Sequence, residues 1–340
     1  MKVYAGMDPA TPLRDVAAYA RRVEAMGYDG LQVAETVHDG LALAMLALEH
    51  TERIVVRTSV ILAFVRSPML VAYTAWDLAA MSDGRFELGL GTQIKQNIEG
   101  RFSVPWREPV ARMSEYLDAL RAIFATFATG APLRFEGEHY QFTRMQPYFN
   151  PGPIATPAPR LWLGGVNPKI CRVAGAKADG FITHPTNSNP RYLAEIALPN
   201  LRAGADGVAR DPSAIELVVG SPYITGSTAS VVAAEREHQR HMLAFLYSTP
   251  AYRRTLELFG WADLGERLQR MTREGRWDEL ATLVTDEVLD ALVPQGTYDE
   301  LPAVIARWFG DIATGVLVQP PRDPADDPLV GDLIRAIRAL

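Results

Sequence analysis

Short apolar runs alternate with amphipathic stretches along almost the whole chain. The first run, Val3–Met7, predicts a strand, and Thr11–Met26 predicts a helix because Pro12 suits its first turn and Gly27 follows its last. The predicted strands are Val3–Met7, Gly30–Glu35, Arg53–Leu62, Arg85–Gly91, Arg160–Gly165, Gly180–His184, Glu216–Thr225 and Gly315–Gln319. Both faces of these strands are apolar, which is typical of parallel strands covered by helices.

Helical sequence follows each of the eight strands. The clearest helices are Thr11–Met26, Gly40–Thr51, Pro68–Met81, Arg107–Thr129, Pro168–Lys177, Pro190–Ala203 and Leu329–Leu340. Eight strand–helix units predict an α/β fold of the closed (β/α)8 TIM-like type, as one domain over residues 1–340. The alternative is an open doubly wound sheet, but the loop after its first strand would carry a glycine-rich fingerprint, and Asp8–Pro12 has no glycine.

Three insertions account for the remaining length. They span about residues 92–106, 131–159 and 228–294. The second begins like a hairpin and ends in a proline-rich stretch, and the third predicts several helices. Thr92–Trp106 and Gln146–Pro159 are candidate lids over a site at the carboxyl ends of the strands.

Composition narrows the class of protein. Apolar residues make up 48% and charged residues 22% of the chain, which is typical of a globular protein. The net charge of −6 argues against nucleic acid as a partner. No apolar run reaches about 18 residues, so no membrane helix is expected. The N-terminus lacks the apolar core of an export signal, and Cys171 is alone, so a reducing cytoplasm is the expected setting.

The turn after the fifth predicted strand is the most informative candidate site. Gly164 and Gly165 permit a close backbone approach, Asn167 can cap the next helix, and Pro168 suits its first turn. With Val166 they would present free N–H groups at a helix N-terminus, where an anion is stabilised. A phosphate cradle and an ordinary strand-to-helix turn both fit this pattern.

Acid–base candidates lie at the ends of other strands. His38 and His184 follow strands two and six, and Glu35 could be a base or could simply pair with an arginine. No His-x-His or His-Glu-x-x-His spacing occurs among the six histidines, so no metal site is expected.

Several motifs then carry a resemblance to a known family. The strongest is the run Ser82-Asp83-Gly84-Arg85-Phe86-Glu87-Leu88-Gly89-Leu90-Gly91, supported by Arg57-Thr58-Ser59-Val60 and by Ser248-Thr249-Pro250-Ala251-Tyr252. Across essentially its whole length the chain resembles the luciferase-like monooxygenase superfamily, and within it the F420-dependent oxidoreductases.

The resemblance implies a TIM-like barrel that holds a deazaflavin or flavin at its mouth, with hydride passing between deazaflavin C5 and a small organic substrate. It implies a cis peptide bond at Ser59–Val60, behind the ring. Gly91 and Thr92 would lie beside the cofactor. Gly164, Gly165, Val166 and Asn167 would bind its phosphate. A cationic rim for the oligoglutamate tail of F420 would come from Lys95, Arg101, Lys169 and Arg172.

The chain also departs from one branch of this family. In the sugar-6-phosphate dehydrogenases an acidic residue is followed directly by the catalytic histidine, whereas here Thr36 follows Glu35 and His38 comes two positions later. Gln93 stands where that branch has a glutamate. The catalytic candidates are therefore His38 first, Glu35 second and His184 third.

Two other functions remain open at this stage. One is an FMN-dependent monooxygenase that receives reduced flavin from a separate reductase, and the other is a flavin-binding barrel without catalysis. A homodimer is common among proteins of this family and is expected on that ground alone.

Overall fold

Eight parallel strands close into a barrel in the computed structural model, which describes all 340 residues. The strands are β1 Lys2–Gly6, β2 Gly30–Val33, β3 Val55–Thr58, β4 Phe86–Gly91, β5 Arg160–Gly165, β6 Gly180–Thr183, β7 Glu216–Val219 and β8 Gly315–Leu317. Each strand pairs with the next in the chain, and β8 pairs with β1. The predicted (β/α)8 barrel is confirmed.

Eleven longer helices surround the barrel or extend from it. They are α1 Val16–Met26, α2 Gly40–Glu49, α3 Pro68–Met81, α4 Pro109–Thr129, α5 Pro168–Lys177, α6 Leu198–Asp206, α7 Ala229–Tyr247, α8 Ala262–Arg273, α9 Asp286–Leu292, α10 Leu301–Phe309 and α11 Asp327–Arg338. No helix is both long enough and apolar enough to span a bilayer.

Two predicted strands are interrupted. The third breaks after Thr58 and resumes as the short strand Ile61–Leu62. The seventh ends at Val219, and Ile224–Gly226 leaves the barrel to pair with Gln295–Thr297. Apolar residues lie on both sides of each break, so the hydrophobic pattern predicts each run as one strand, although Thr58-Ser59 and Gly220-Ser221-Pro222 stand at the breaks.

The third insertion packs an apolar cluster of its own. Helices α7, α8 and α9 bury Leu243, Leu268 and Leu289 in a group separate from the main core. This insertion also lines the cavity described below. We therefore propose that residues 1–340 form a single domain.

The second insertion lies against the outside of the barrel. Its hairpin is confirmed by the antiparallel pair Phe135–Glu136 and Gln141–Phe142. Farther along, the Tyr73 hydroxyl and the Trp76 indole of α3 donate to the carbonyls of Phe149 (2.7 Å) and Gly152 (2.9 Å). No residue of Gln146–Pro159 lines the cavity, so the prediction of a second lid there is wrong.

A buried ion pair occupies the barrel interior. Arg57 is 1% exposed, and its Nε donates to the Glu87 carboxylate at 2.6 Å. The guanidinium lies 3.3 Å from the Trp162 ring centroid and 4.6 Å from that of Tyr4. This arrangement fixes β1, β3, β4 and β5 relative to one another below the cavity.

Breaking this pair is expected to destabilise the barrel. Glu87→Gln should lower the free energy of unfolding by roughly 3–5 kcal/mol, because Arg57 would keep a buried charge without its counter-ion. The double variant Arg57→Met/Glu87→Leu should lose less than Glu87→Gln. Urea denaturation gives both values, and Glu257→Gln, which removes an exposed ion pair, serves as the control. An equally small loss for Glu87→Gln and Glu257→Gln would contradict this account.

Candidate active site

An open cavity of about 920 Å³ lies at the carboxyl ends of the barrel strands. Its walls come from the strand ends, from the first insertion and from α7, α8 and the segment between them. The predicted site residues that line it are Glu35, Ser59, Val60, Gly91, Thr92, Lys95, Gly164, Gly165, Val166, Asn167 and His184. His38 and Lys169 do not line it.

Val60 determines the shape of one wall. The Ser59–Val60 peptide bond is cis, as the resemblance implied. The Val60 side chain fills the space that a Cβ atom would need at both Gly91 and Gly164. A Cβ at Gly165 would likewise overlap Ile170. These glycines are therefore required by the packing of the protein itself, whereas the sequence argument explained them by a close ligand approach.

The turn after β5 presents unpaired N–H groups. Asn167 accepts a hydrogen bond from the Ile170 N–H at 3.0 Å, and the Tyr192 hydroxyl holds the Val166 carbonyl at 3.0 Å. The backbone N–H groups of Val166, Asn167 and Lys169 donate no hydrogen bond within the protein. They lie at the N-terminus of α5, where the helix dipole favours an anion, so this turn fits a phosphate group.

His184 is the histidine that the structure brings to the cavity. Its ring stacks on Tyr252 with centroids 4.3 Å apart, and Nδ1 lies 2.8 Å from the Thr186 hydroxyl. Nε2 makes no hydrogen bond to the protein. Burial lowers the pKa of His184 to about 4, because the charged form loses its hydration. The imidazole is therefore neutral at pH 7.

Glu35 is engaged by an arginine. Arg66 donates to both oxygens of its carboxylate, at 2.9 and 2.5 Å, and the Leu62 N–H donates at 2.7 Å. Arg66 also binds Asp39 at 2.6 Å. These contacts hold the loop after β2 against the segment that leads into α3, which favours a structural role for Glu35.

The predicted cationic rim is only partly present. Lys95 lines the cavity, 3.8 Å from Glu99, while Lys169 is exposed outside it. The Arg172 side chain binds Asn200, at 2.8 Å. Arg101 donates to the Thr36 carbonyl at 2.8 Å and so ties the first insertion to the loop after β2.

Sequence reasoning missed two kinds of lining residue. Gln32 is 3% exposed and lines the cavity from β2, where it is the only polar side chain in the run Gly-Leu-Gln-Val. Arg273, Phe245 and Trp277 come from the third insertion. Arg273 forms no ion pair, and it lies 42 positions before the nearest barrel strand along the chain, so no local motif marks it.

A largely apolar cavity with a neutral histidine, at the carboxyl ends of the strands of a (β/α)8 barrel, is the arrangement of a barrel enzyme. The family model for luciferase-like monooxygenase matches residues 2–315, and the chain belongs to that family.

The chain is also similar in sequence to a relative and in fold to two solved structures. An uncharacterized protein of Mycobacterium tuberculosis is 41% identical over 305 residues, which is 90% of this chain and 89% of that protein. The structure of coenzyme F420-dependent tetrahydromethanopterin reductase from Methanopyrus kandleri matches with a TM-score of 0.79, 19% identity and 97% coverage of both chains. An F420-dependent secondary alcohol dehydrogenase in complex with an F420-acetone adduct matches with a TM-score of 0.77, 18% identity and 99% coverage of both.

A larger residue at position 91 is expected to disturb the packing of the Val60 side chain against β4. Gly91→Ala should cost about 1–3 kcal/mol of unfolding free energy, because the new methyl group overlaps the Val60 side chain. The same change in a Val60→Ala background should cost clearly less. Chemical denaturation of the four proteins measures the coupling between the two positions. Gly100→Ala, where a Cβ meets nothing within 4 Å, is the control, and equal costs in both backgrounds would refute the packing argument.

The low pKa of His184 predicts a specific dependence of stability on pH. Between about pH 6.5 and 4 His184 is protonated in the unfolded chain but stays neutral in the native state. The free energy of unfolding therefore falls as the pH is lowered through this range. The difference in unfolding free energy between wild type and His184→Gln should be constant above pH 7. As the pH falls to 4, wild type should lose up to about 3 kcal/mol of unfolding free energy relative to His184→Gln. A pH-independent difference would show that His184 titrates normally.

Proposed function

We propose that the chain is an F420-dependent oxidoreductase that transfers hydride between deazaflavin C5 and a small organic substrate. One observation carries this proposal: the unpaired N–H groups of Val166 and Asn167, just before α5, adjoin an apolar cavity of about 920 Å³. Such a cavity is large enough for a tricyclic ring and a substrate together. The two structures of similar fold described above are named as F420-dependent enzymes.

The residues present fit this coenzyme. The N–H groups of Val166 and Asn167 would hold the phosphate, and Val60 with Gly91 would support the ring. Arg273 and Lys95 would offer positive charge to an anionic tail or substrate group. The bound coenzyme supplies the hydride chemistry at C5, and the protein supplies orientation and proton transfer.

His184 takes the acid–base role in this proposal. With the ring proton on Nδ1 and donated to Thr186 Oγ1, which itself donates to Asn187 Oδ1, Nε2 can accept the proton of a substrate hydroxyl while hydride leaves the carbon that bears it. The neutral imidazole places no standing positive charge beside the substrate at pH 7. Glu35 is already bound by Arg66, and His38 does not line the cavity, so both rank below His184.

The first insertion excludes water from the site in this proposal. Thr92, Ile94 and Trp106 line the cavity, and the Trp106 ring packs edge-on against Phe64 with centroids 5.9 Å apart. Gln93, Lys95 and Gln96 of the same insertion also line the cavity, so this lid offers a substrate both apolar and polar side chains.

Cofactor titration tests the proposal directly. We expect sub-micromolar binding of F420 and much weaker binding of FMN, measured by fluorescence. With a panel of small alcohols, His184→Gln should lower kcat for F420 reduction roughly 10²- to 10³-fold while F420 affinity stays within about twofold. His38→Gln is the matched control and should keep kcat.

Three outcomes would contradict this account. Tight FMN binding without F420 binding would indicate the monooxygenase function, with a flavin reductase as partner. Binding of neither cofactor would indicate a barrel without this catalysis. A loss of kcat in His38→Gln but not in His184→Gln would refute the assignment of the acid–base residue.

A further inference from the structure

Gln32 is a buried residue that lines the cavity from inside the barrel. It lies on β2, paired in register with Gly6 of β1 and Arg57 of β3. Its side chain is 3% exposed and lines the cavity together with Ile182 and Leu317, which point into the barrel from β6 and β8. A ligand group that meets Gln32 must therefore enter the barrel mouth.

Both polar atoms of the Gln32 side chain lack a partner. Neither Nε2 nor Oε1 forms a hydrogen bond within the protein, although both are buried. The nearby hydroxyls are already engaged, since Thr58 bonds to the backbone of Gly89 and Thr183 bonds to Ser188 and Gly220. An unpaired buried amide lowers the stability of the empty protein, so its position calls for a ligand that supplies the missing bonds.

The other glutamines of the cavity differ from Gln32. The amide oxygen of Gln93 accepts from the Ile94 N–H, and that of Gln269 accepts from Arg253. Gln96 is exposed to solvent. Gln32 is the one buried amide of this cavity that offers both a donor and an acceptor to a ligand.

The charged neighbour of Gln32 on β3, Arg57, is already neutralised by Glu87, which favours a neutral ligand group at Gln32. The charged residues that line the cavity are Glu35, Lys95 and Arg273, and the carboxylate of Glu35 is already neutralised by Arg66. A carboxamide pairs best with a group that places a carbonyl oxygen next to an N–H, as a cyclic imide does. The pyrimidinedione edge of a flavin or deazaflavin is such a group.

We propose that Gln32 binds the pyrimidinedione edge of the cofactor ring, with Nε2 donating to a ring carbonyl and Oε1 accepting from the ring N3–H. This inference rests on the proposed function only in requiring a ring of this class. F420 and FMN share the edge, so Gln32 would serve either of them and would fix the orientation of the ring in the barrel mouth.

The variant Gln32→Leu tests the proposal with two readouts of opposite sign. Affinity for F420, and for FMN if it binds, should fall roughly 10- to 100-fold, because the ring loses two hydrogen bonds in a dry site. The melting temperature of the cofactor-free protein should rise by about 1–3 °C, because an unpaired buried amide is removed. Gln239→Leu is the matched control: Gln239 is also buried, with an unpaired Oε1, but lies outside the cavity, so ring affinity should stay unchanged.

A chemically altered ring identifies the bond itself. Wild type should bind a ring methylated at N3 at least about tenfold more weakly than the unmodified ring, whereas Gln32→Leu should bind both alike. Unchanged affinity in Gln32→Leu, or the same preference against N3 methylation in both proteins, would overturn the proposal. Binding of FMN alone, with a loss in Gln32→Leu, would uphold Gln32 while refuting F420 dependence. Failure of wild type to bind either ring would refute both.

Discussion

The contact of Val60 with Gly91 and Gly164 is the constraint on which the cavity depends. The valine side chain takes the space of two Cβ atoms and so brings the ends of β3, β4 and β5 together. The interruption of β3 turns this side chain toward its neighbours instead of continuing the strand. One wall of the site is therefore made of backbone and a single branched side chain, with little freedom to move.

The chemistry of the cavity follows from how its polar groups are satisfied. Arg66 neutralises Glu35, burial keeps His184 uncharged, and the Arg57–Glu87 pair is enclosed below the site. The groups left free are the N–H donors at the start of α5, the His184 Nε2 atom, the Gln32 amide and Arg273. Fixed, unpaired dipoles in a largely apolar space are suited to holding a polar ring and its phosphate in one orientation.

Periodicity and capping residues predicted the barrel because each strand–helix unit is encoded locally. Asn167 and Pro168 at the start of α5 and Gly27 after α1 are examples that the structure confirms. The glycines after β4 and β5 were also found from sequence, although their immediate reason is contact with Val60 and Ile170. Family resemblance implied the cis bond at Ser59–Val60, but the break in β3 was not predicted, because apolar residues flank Thr58 and Ser59 on both sides.

The remaining features depend on contacts between distant parts of the chain. His38 and His184 both follow strands, and only the path of each loop decides which one reaches the cavity. Glu35 and Arg66 are about thirty residues apart. Arg273 lies in a helical insertion, and no local sequence pattern predicts where that insertion packs. For Gln32 the sequence does contain a signal, because it is the one polar side chain in the apolar strand β2. A buried amide needs a hydrogen-bond partner, so its position indicates either a partner in the protein or a ligand.

The absorbance spectrum of the protein purified from a host that makes F420 tests the central claim most directly. The account predicts that the band of the deazaflavin co-purifies with the barrel in near-stoichiometric amount and is released on denaturation. A flavin spectrum, or a colourless protein that gains no deazaflavin band when F420 is added, would contradict it.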